Sequence, residues 1–139
     1  MTVVADPIPV DQTVEDLLAG KNEIIQNGWC AGELENEDGQ LCAVGAVRKA
    51  IWGTASMLAE TPPYVNRRFL AHRERNAVSE LSKTIFQKYP GAYPDMFPPP
   101  TDAYFSAVTV PDYNDEPDRT ESDVLDLYDE TISRLKGEK

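Results

Sequence analysis

Residues 42–58 form a stretch dominated by small apolar side chains, and no other part of the chain limits the possible folds as strongly. Arg48 and Lys49 are the two charged residues in it. A helix with so many small side chains lets other backbones approach closely, so we predict a buried central helix here. Gly45 costs such a helix up to about 1 kcal/mol relative to alanine, which indicates either close packing or a later helix start.

Before this stretch, helical periodicity predicts a first helix over residues 13–27. Thr13 and Asp16 resemble a short capping box at its start, and Gly28 is a natural stop at its end. One apolar stripe of this helix is predicted to face the core: Val14, Leu17, Leu18, Ile24 and Ile25.

Two further helices are predicted after the central one, over residues 64–88 and from Thr120 to Lys136. Thr120 is a good N-cap, and acids in the first turn after it suit the helix dipole. The apolar positions of both helices recur on one side, which predicts that each packs against the core.

Two segments read as β-structure. Residues 29–41 predict a hairpin whose turn, at 36–39, ends in the favourable Asp-Gly pair. Residues 103–110 are aromatic and β-branched, which favours a short strand before the last helix. The predicted fold class is therefore α+β, mainly α, with about four helices.

The predicted organisation is one domain. Residues 1–12 are read as an extended arm and residues 13–139 as a single domain. Within it, residues 90–101 hold five prolines and are read as a loop.

Charge is segregated along the chain. Residues 1–40 carry a net charge of −8, residues 41–90 carry +5, and residues 91–139 carry −8. One interpretation is internal matching, in which acidic ends flank a basic middle helix. The other is an acidic surface presented to a basic partner, because complementary fields favour encounter.

Composition excludes several classes of protein. A chain of 139 residues, 41% hydrophobic and 27% charged, can build a core without disulfides or metal. A net charge of −11 argues against direct binding to nucleic acid or to an anionic membrane. There is no apolar run of transmembrane length and no signal-peptide pattern, and two cysteines indicate a reducing compartment, so a cytoplasmic protein is expected.

The cysteines and the single histidine do not predict a site. A structural zinc needs four ligands in close pairs, and here Cys30, Cys42 and His72 stand alone. A regular hairpin register pairs neither cysteine with the other, so no disulfide is predicted. A Cys42 nucleophile with a His72 base is the sharpest enzymatic hypothesis, but helical phasing puts His72 on a polar face. A non-catalytic protein without cofactor or metal is favoured.

Two motifs resemble a known family. Residues 28–32 (Gly-Trp-Cys-Ala-Gly) are followed by Asp-Gly at 38–39 and by Cys-Ala-Val-Gly-Ala at 42–46, and residues 113–120 read Tyr-Asn-Asp-Glu-Pro-Asp-Arg-Thr. Both are similar to signatures of an uncharacterised small-protein family of actinobacteria and their phages. The chain departs from that pattern at Asp118, where the family usually has glycine. Asp tolerates the left-handed conformation, so the turn is expected to survive. The resemblance implies fold and provenance, without an activity.

The motif residues have a structural and a functional interpretation. In the structural interpretation, Trp29 anchors the core. Asn114 and Asp115 form hydrogen bonds with backbone groups in the turn before Thr120. If Trp29, Asn114, Asp115 and Arg119 meet in space, they could instead bind a small ligand or carry an enzymatic site.

Several charged side chains predict a partner surface. Apart from Glu130, which has Arg134 four residues on, the acids of the last helix lack basic partners at that spacing, and an arginine cluster lies in the third helix. The predicted function is a protein–protein interaction module, phage-encoded and acting on a host factor. A nucleic-acid mimic that inhibits a nucleic-acid-binding protein is the alternative. The predicted surface residues are Asp123, Asp126, Asp129, Glu130, Arg68 and Arg75.

Overall fold

Helices account for most of the structure. The computed structural model describes residues 8–55, 66–89 and 109–137. In chain order the helices are α1 (Val10–Asn27), α2 (Ala43–Trp52), α3 (Arg67–Lys88), the segment 109–114 as α4, and α5 (Glu121–Leu135). None of these helices, within the described residues, is long and apolar enough to cross a bilayer.

The predicted β-structure is wrong. Among the described residues there is no strand, and the α+β class is replaced by a mainly helical one. Leu41 forms isolated bridges, parallel to Trp29 and antiparallel to Glu35, in place of a hairpin ladder. The turn itself is present, because Gly39 donates its N–H to the Asn36 carbonyl at 3.0 Å. Of the predicted strand 103–110, residues 109 and 110 are helical, and the rest lies outside the described residues.

Helix α1 begins earlier than predicted. Its N-cap is Pro9, whose fixed φ of −59° leads into the helix without a side-chain cap. The capping box predicted at Thr13 and Asp16 is therefore wrong, and the arm predicted for residues 1–12 can extend no further than Pro9. Thr13 and Asp16 are instead buried on the inner face of the helix.

The apolar positions of α1 are also divided between core and surface differently from the prediction. Leu17 and Ile24 are buried, whereas Leu18 and Ile25 are exposed. The buried positions of α1 lie in one sector of the helix with Leu17 at its border, and Leu18, about 100° further round, falls outside that sector.

Helix α2 is the buried central helix that the sequence predicts. Ala43, Ala46 and Val47 are fully buried. A Cβ at Gly45 would overlap the backbone carbonyl of Leu34, so close packing explains this glycine. The helix ends before the predicted residue 58, because Gly53 stops it in the left-handed conformation at φ 84°.

Helices α1, α2 and α5 meet at Gly20. A Cβ there would lie 3.1 Å from the Tyr128 ring and 3.5 Å from the Val47 Cα. The Tyr128 hydroxyl donates to the Ala43 carbonyl, which ties α5 to the first turn of α2. This contact fixes the positions of the three helices that the loops connect.

Internal charge matching accounts for part of the basic middle segment. Arg73 of α3 binds the buried Asp16 carboxylate through two nitrogens, at 2.6 and 3.1 Å. Glu74 accepts from both Arg48 and Trp52 of α2, at 2.8 and 2.7 Å. Such pairs join α3 to α1 and α2, and most of the acids within the described residues remain exposed.

The remaining predicted boundaries can be assigned. Helices α3 and α5 confirm the third and fourth predicted helices, with α3 starting at Arg67. The proline-rich segment 90–101 lies outside the described residues.

Candidate functional site

The side chain of Asn114, at the end of α4, joins three separate parts of the chain. Its Oδ1 accepts from the Trp29 indole at 2.7 Å and from the Ala43 backbone N–H at 2.9 Å. Its Nδ2 donates to the Cys30 carbonyl at 3.1 Å and to the Asp115 carboxylate at 2.9 Å. The residue is 1% exposed. An amide has two acceptor positions and two donor hydrogens, so all its hydrogen-bonding capacity is used within the protein.

Asp115 extends this junction to the neighbouring loop. Its Oδ1 also accepts from the Gly32 N–H at 2.9 Å. The loop between α1 and α2 and the turn after α4 are therefore bound to each other through both side chains of the Asn-Asp pair.

Arg119 holds the turn after α4 closed. Its Nε donates to the Tyr113 carbonyl at 2.7 Å, and its guanidinium carbon lies 3.6 Å from the centre of the Tyr113 ring. The same guanidinium pairs with Glu116 at 2.7 Å. Asp118 takes the left-handed conformation at φ 65°, which confirms the expectation that the turn survives without glycine.

The structure thus brings the four predicted ligand residues into one junction. Trp29, Asn114 and Asp115 are hydrogen-bonded in series, and Arg119 reaches them through Tyr113. The polar groups of this junction bind backbone or one another. Their use as a ligand site remains a prediction, and the observed bonds agree with the structural interpretation.

Tyr113 is the junction residue that sequence reasoning missed. It is buried beneath Arg119, and burial, partly opposed by the Arg119 charge, raises its pKa to about 12. The sequence pattern that could have indicated this contact is an aromatic residue six positions before an arginine, with turn-forming residues between them.

Both cysteines support the loop between α1 and α2. The Cys42 sulfur is the N-cap of α2 and accepts from the Gly45 N–H at 3.3 Å, while Cys30 donates to the Gln40 carbonyl at 3.3 Å. Both are free and buried, and burial raises the pKa of each thiol. A raised pKa keeps a thiol protonated and unreactive.

No metal centre is formed in the described part of the chain. No three His, Cys, Asp or Glu side chains there are placed to hold a metal ion.

The junction places two acid-rich segments side by side, which we call the acidic loop pair: residues 31–39, and residues 112–118, which comprise the end of α4 and the turn after it. They contain eight acids and no lysine or arginine, and all eight are exposed. Two form ion pairs within the described residues, Glu35 with Lys49 at 3.7 Å and Glu116 with Arg119. The other six have no described ion-pair partner: Glu33, Glu37, Asp38, Asp112, Asp115 and Asp118.

The acids predicted as a surface on α5 are largely engaged. Asp129 pairs with Lys21, and Glu130 pairs with Lys88 at 2.8 Å, a hydrogen bond that raises the pKa of the lysine. Asp123 completes the capping box with Thr120. Asp126 is exposed and forms no described hydrogen bond or ion pair, although its charge contributes to the raised pKa of Lys88.

Arg68 and Arg75 are exposed on α3, without a described ion-pair partner. They lie in the half of α3 whose Arg73 and Glu74 contact α1 and α2, whereas Lys88 at the other end reaches α5. The structure therefore does not combine them with the α5 acids into one surface.

The fold and junction define a small, mainly helical domain whose motif residues hold its loops together. The model of a family of unknown function, DUF6197, matches residues 9–134. The chain belongs to this family. Comparison with curated protein sequences and with solved structures gives no match.

Proposed function

We propose that this chain is a non-catalytic protein-interaction module that presents the acidic loop pair to a basic protein. The observation that carries the proposal is the saturated Asn114 amide: it fixes the two loops to each other while their acids face outward. A preformed acidic surface binds a basic partner without first ordering its loops, which reduces the cost of binding.

The surrounding electrostatics support this reading. Six acids of the acidic loop pair have no ion-pair partner among the described residues and repel one another, and a cationic partner relieves that repulsion. The neutral, buried thiols of Cys30 and Cys42 fit a supporting role beneath the loops rather than catalysis.

The earlier alternatives remain predictions. A nucleic-acid mimic would use the α5 acids as a phosphate-like row, but Asp129 and Glu130 are paired with lysines. A small-ligand site at Trp29 and Asn114 would need polar groups that are already bonded.

The test compares three immobilised forms of the chain in an actinobacterial lysate, chosen because the two motifs resemble a family from such bacteria and their phages. The first form is wild type, the second is Glu37→Gln/Asp112→Asn in the loops, and the third is Glu121→Gln/Asp126→Asn on α5. Each double variant removes two exposed acids that have no ion pair within the described part of the chain, so the third form is a control matched in charge.

We expect wild type and the α5 variant to retain the same basic protein at low salt, and the loop variant to lose it. Mass spectrometry identifies the protein, and elution by moderate salt checks that electrostatics hold it. Retention by the loop variant, or by no form, contradicts the proposal. Loss from the α5 variant alone, with competition by DNA, supports the nucleic-acid mimic instead.

A further inference from the structure

One face of α1 carries apolar side chains that the core does not use. Val10, Leu18 and Ile25 are 52%, 48% and 57% exposed, and they are three of the four large hydrophobic residues exposed in the described part of the chain. Isolated exposed hydrophobics are ordinary on protein surfaces, but a row along one helix marks an interaction site.

These residues line up along α1 with Val14, which is half-buried and packs against the core. At about 100° per residue, Val10, Val14, Leu18 and Ile25 fall within one quarter of the helix circumference. We call them the α1 stripe. It spans about 22 Å, or some four helical turns. Lys21 lies in the same line, and its charge is paired with Asp129 of α5.

The stripe opens at one end into a surface groove between α1 and α5. The groove has a volume of about 490 Å³. It is lined by the apolar side chains of Val10, Val14 and Leu135 and by the charged residues Asp11, Glu15 and Lys136. A groove that combines apolar and charged side chains suits an amphipathic helix, which carries both.

Charge decides what chemistry the occupant must have. Asp11 and Glu15 lie beside the stripe, are exposed and have no described ion-pair partner, whereas Asp16 of α1 and Asp129 and Glu130 of α5 are paired with basic side chains. A second copy of the chain carries the same net charge of −11, so the two copies repel each other. A helix with lysines or arginines beside an apolar row complements both features.

We infer that the α1 stripe and the α1–α5 groove bind a cationic amphipathic helix of a partner protein, at a surface distinct from the acidic loop pair. The inference rests on the proposed function in treating the chain as an interaction module. The partner's apolar row packs on the stripe, and its cations face Asp11 and Glu15.

The test uses a fluorescent peptide, LKKLLKLLKKLLKL, whose leucines line one side of a helix. Binding to the full chain is followed by fluorescence anisotropy. Two control peptides separate the requirements: one has every lysine replaced by glutamate, and the other has leucine and lysine in strict alternation, which cannot form an apolar helical face.

The matched protein variants are Leu18→Lys and Ala19→Lys. Both positions are exposed and adjacent on α1, and both changes add the same charge, but Ala19 lies off the stripe. We expect Leu18→Lys to weaken peptide binding about tenfold or more, because an apolar anchor is lost. Ala19→Lys is expected to change it by less than about threefold, the effect of one surface charge.

Three outcomes would overturn the inference: equal weakening by the two variants, equal binding of the glutamate peptide, or a wild-type dimer in sedimentation that Leu18→Lys dissociates. The last would make a second copy the occupant. Unchanged peptide binding by Glu37→Gln/Asp112→Asn supports a separate surface. If that variant loses its lysate partner while the peptide still binds, both proposals stand, and each can fail without the other.

Discussion

The polar interior of this domain depends on single side chains with several bonds each. Asn114 satisfies the Trp29 indole, the Ala43 N–H and the Cys30 carbonyl. Alanine at this position leaves three polar groups without their partner in a site that is almost fully buried. We expect Asn114→Ala to lower the free energy of unfolding by about 3 kcal/mol, measured by urea denaturation.

The control for this change is Asn22→Ala, at an exposed position of α1. It removes the same side chain where water already satisfies it, so the free energy of unfolding should stay within about 0.5 kcal/mol of wild type. Equal effects at positions 114 and 22 would show that the junction does not stabilise the fold.

At Gly45 the structure predicts whether substitution by alanine raises or lowers the stability of the fold. In an unobstructed helix, glycine to alanine stabilises by up to about 1 kcal/mol. Here the added Cβ overlaps the Leu34 carbonyl, which belongs to backbone and cannot move aside cheaply. We expect Gly45→Ala to destabilise by about 2 kcal/mol or more, measured by thermal and urea unfolding.

The comparison for this change is Gly53→Ala. A Cβ at Gly53 meets nothing within 4 Å, and the cost there is that of the left-handed conformation alone, about 1 kcal/mol. A neutral or stabilising Gly45→Ala would mean that the Leu34 segment is not packed against α2.

Residue types in the two motifs predicted that the Trp29 and Asn114 regions could meet, but not how. The sequence shows which side chains can bond, whereas saturation of the Asn114 amide also depends on two distant backbone positions, the Ala43 N–H and the Cys30 carbonyl. The role of Tyr113 beneath Arg119 depends on the course of the turn, which no local pattern specifies.

At the level of elements, α5 begins with a capping box, which involves only residues of its first turn. The Thr120 hydroxyl accepts from the Asp123 N–H at 3.2 Å, and the Asp123 carboxylate accepts from the Thr120 N–H at 3.1 Å. We expect Thr120→Ala to cost about 1 kcal/mol of unfolding free energy, measured by urea denaturation. Ser122→Ala, two residues on and exposed, should cost less than about 0.5 kcal/mol. A cap that contributes nothing would leave the two variants indistinguishable.

The helix ends were predicted better than the β-structure because helix ends depend on hydrogen bonds between residues close in sequence, whereas pairing of strands depends on residues further apart. Helix ends at Gly28 and Thr120 depend on bonds within a turn, so their residues predict them. The bridges of Leu41 to Trp29 and Glu35 join segments in opposite senses, and this choice depends on packing against α2. The start of α1 was missed because Pro9 acts through its fixed φ and not through a side-chain cap.

In the whole molecule, all the groups with a raised pKa change the free energy of unfolding in the same direction as the pH rises. Burial raises the pKa of Tyr113 from 10.0 to about 12 and that of Tyr128 well above 10.0, and it also raises those of Cys30 and Cys42. The bond to Glu130 raises the pKa of Lys88. Each folded pKa exceeds the unfolded one, so the unfolded chain releases its protons first as the pH rises.

The stability that these groups provide is therefore complete below their ordinary pKa values and is lost through the alkaline range. We expect the free energy of unfolding to fall continuously between about pH 9 and about pH 12, measured by urea denaturation at successive pH values. Tyr113→Phe removes one of the ionising groups, so its stability should fall less steeply above about pH 10, although its stability at neutral pH can differ from wild type. Equal slopes for wild type and Tyr113→Phe would mean that the Tyr113 hydroxyl ionises as readily in the folded chain as in the unfolded one, and that the Arg119 charge offsets its burial completely.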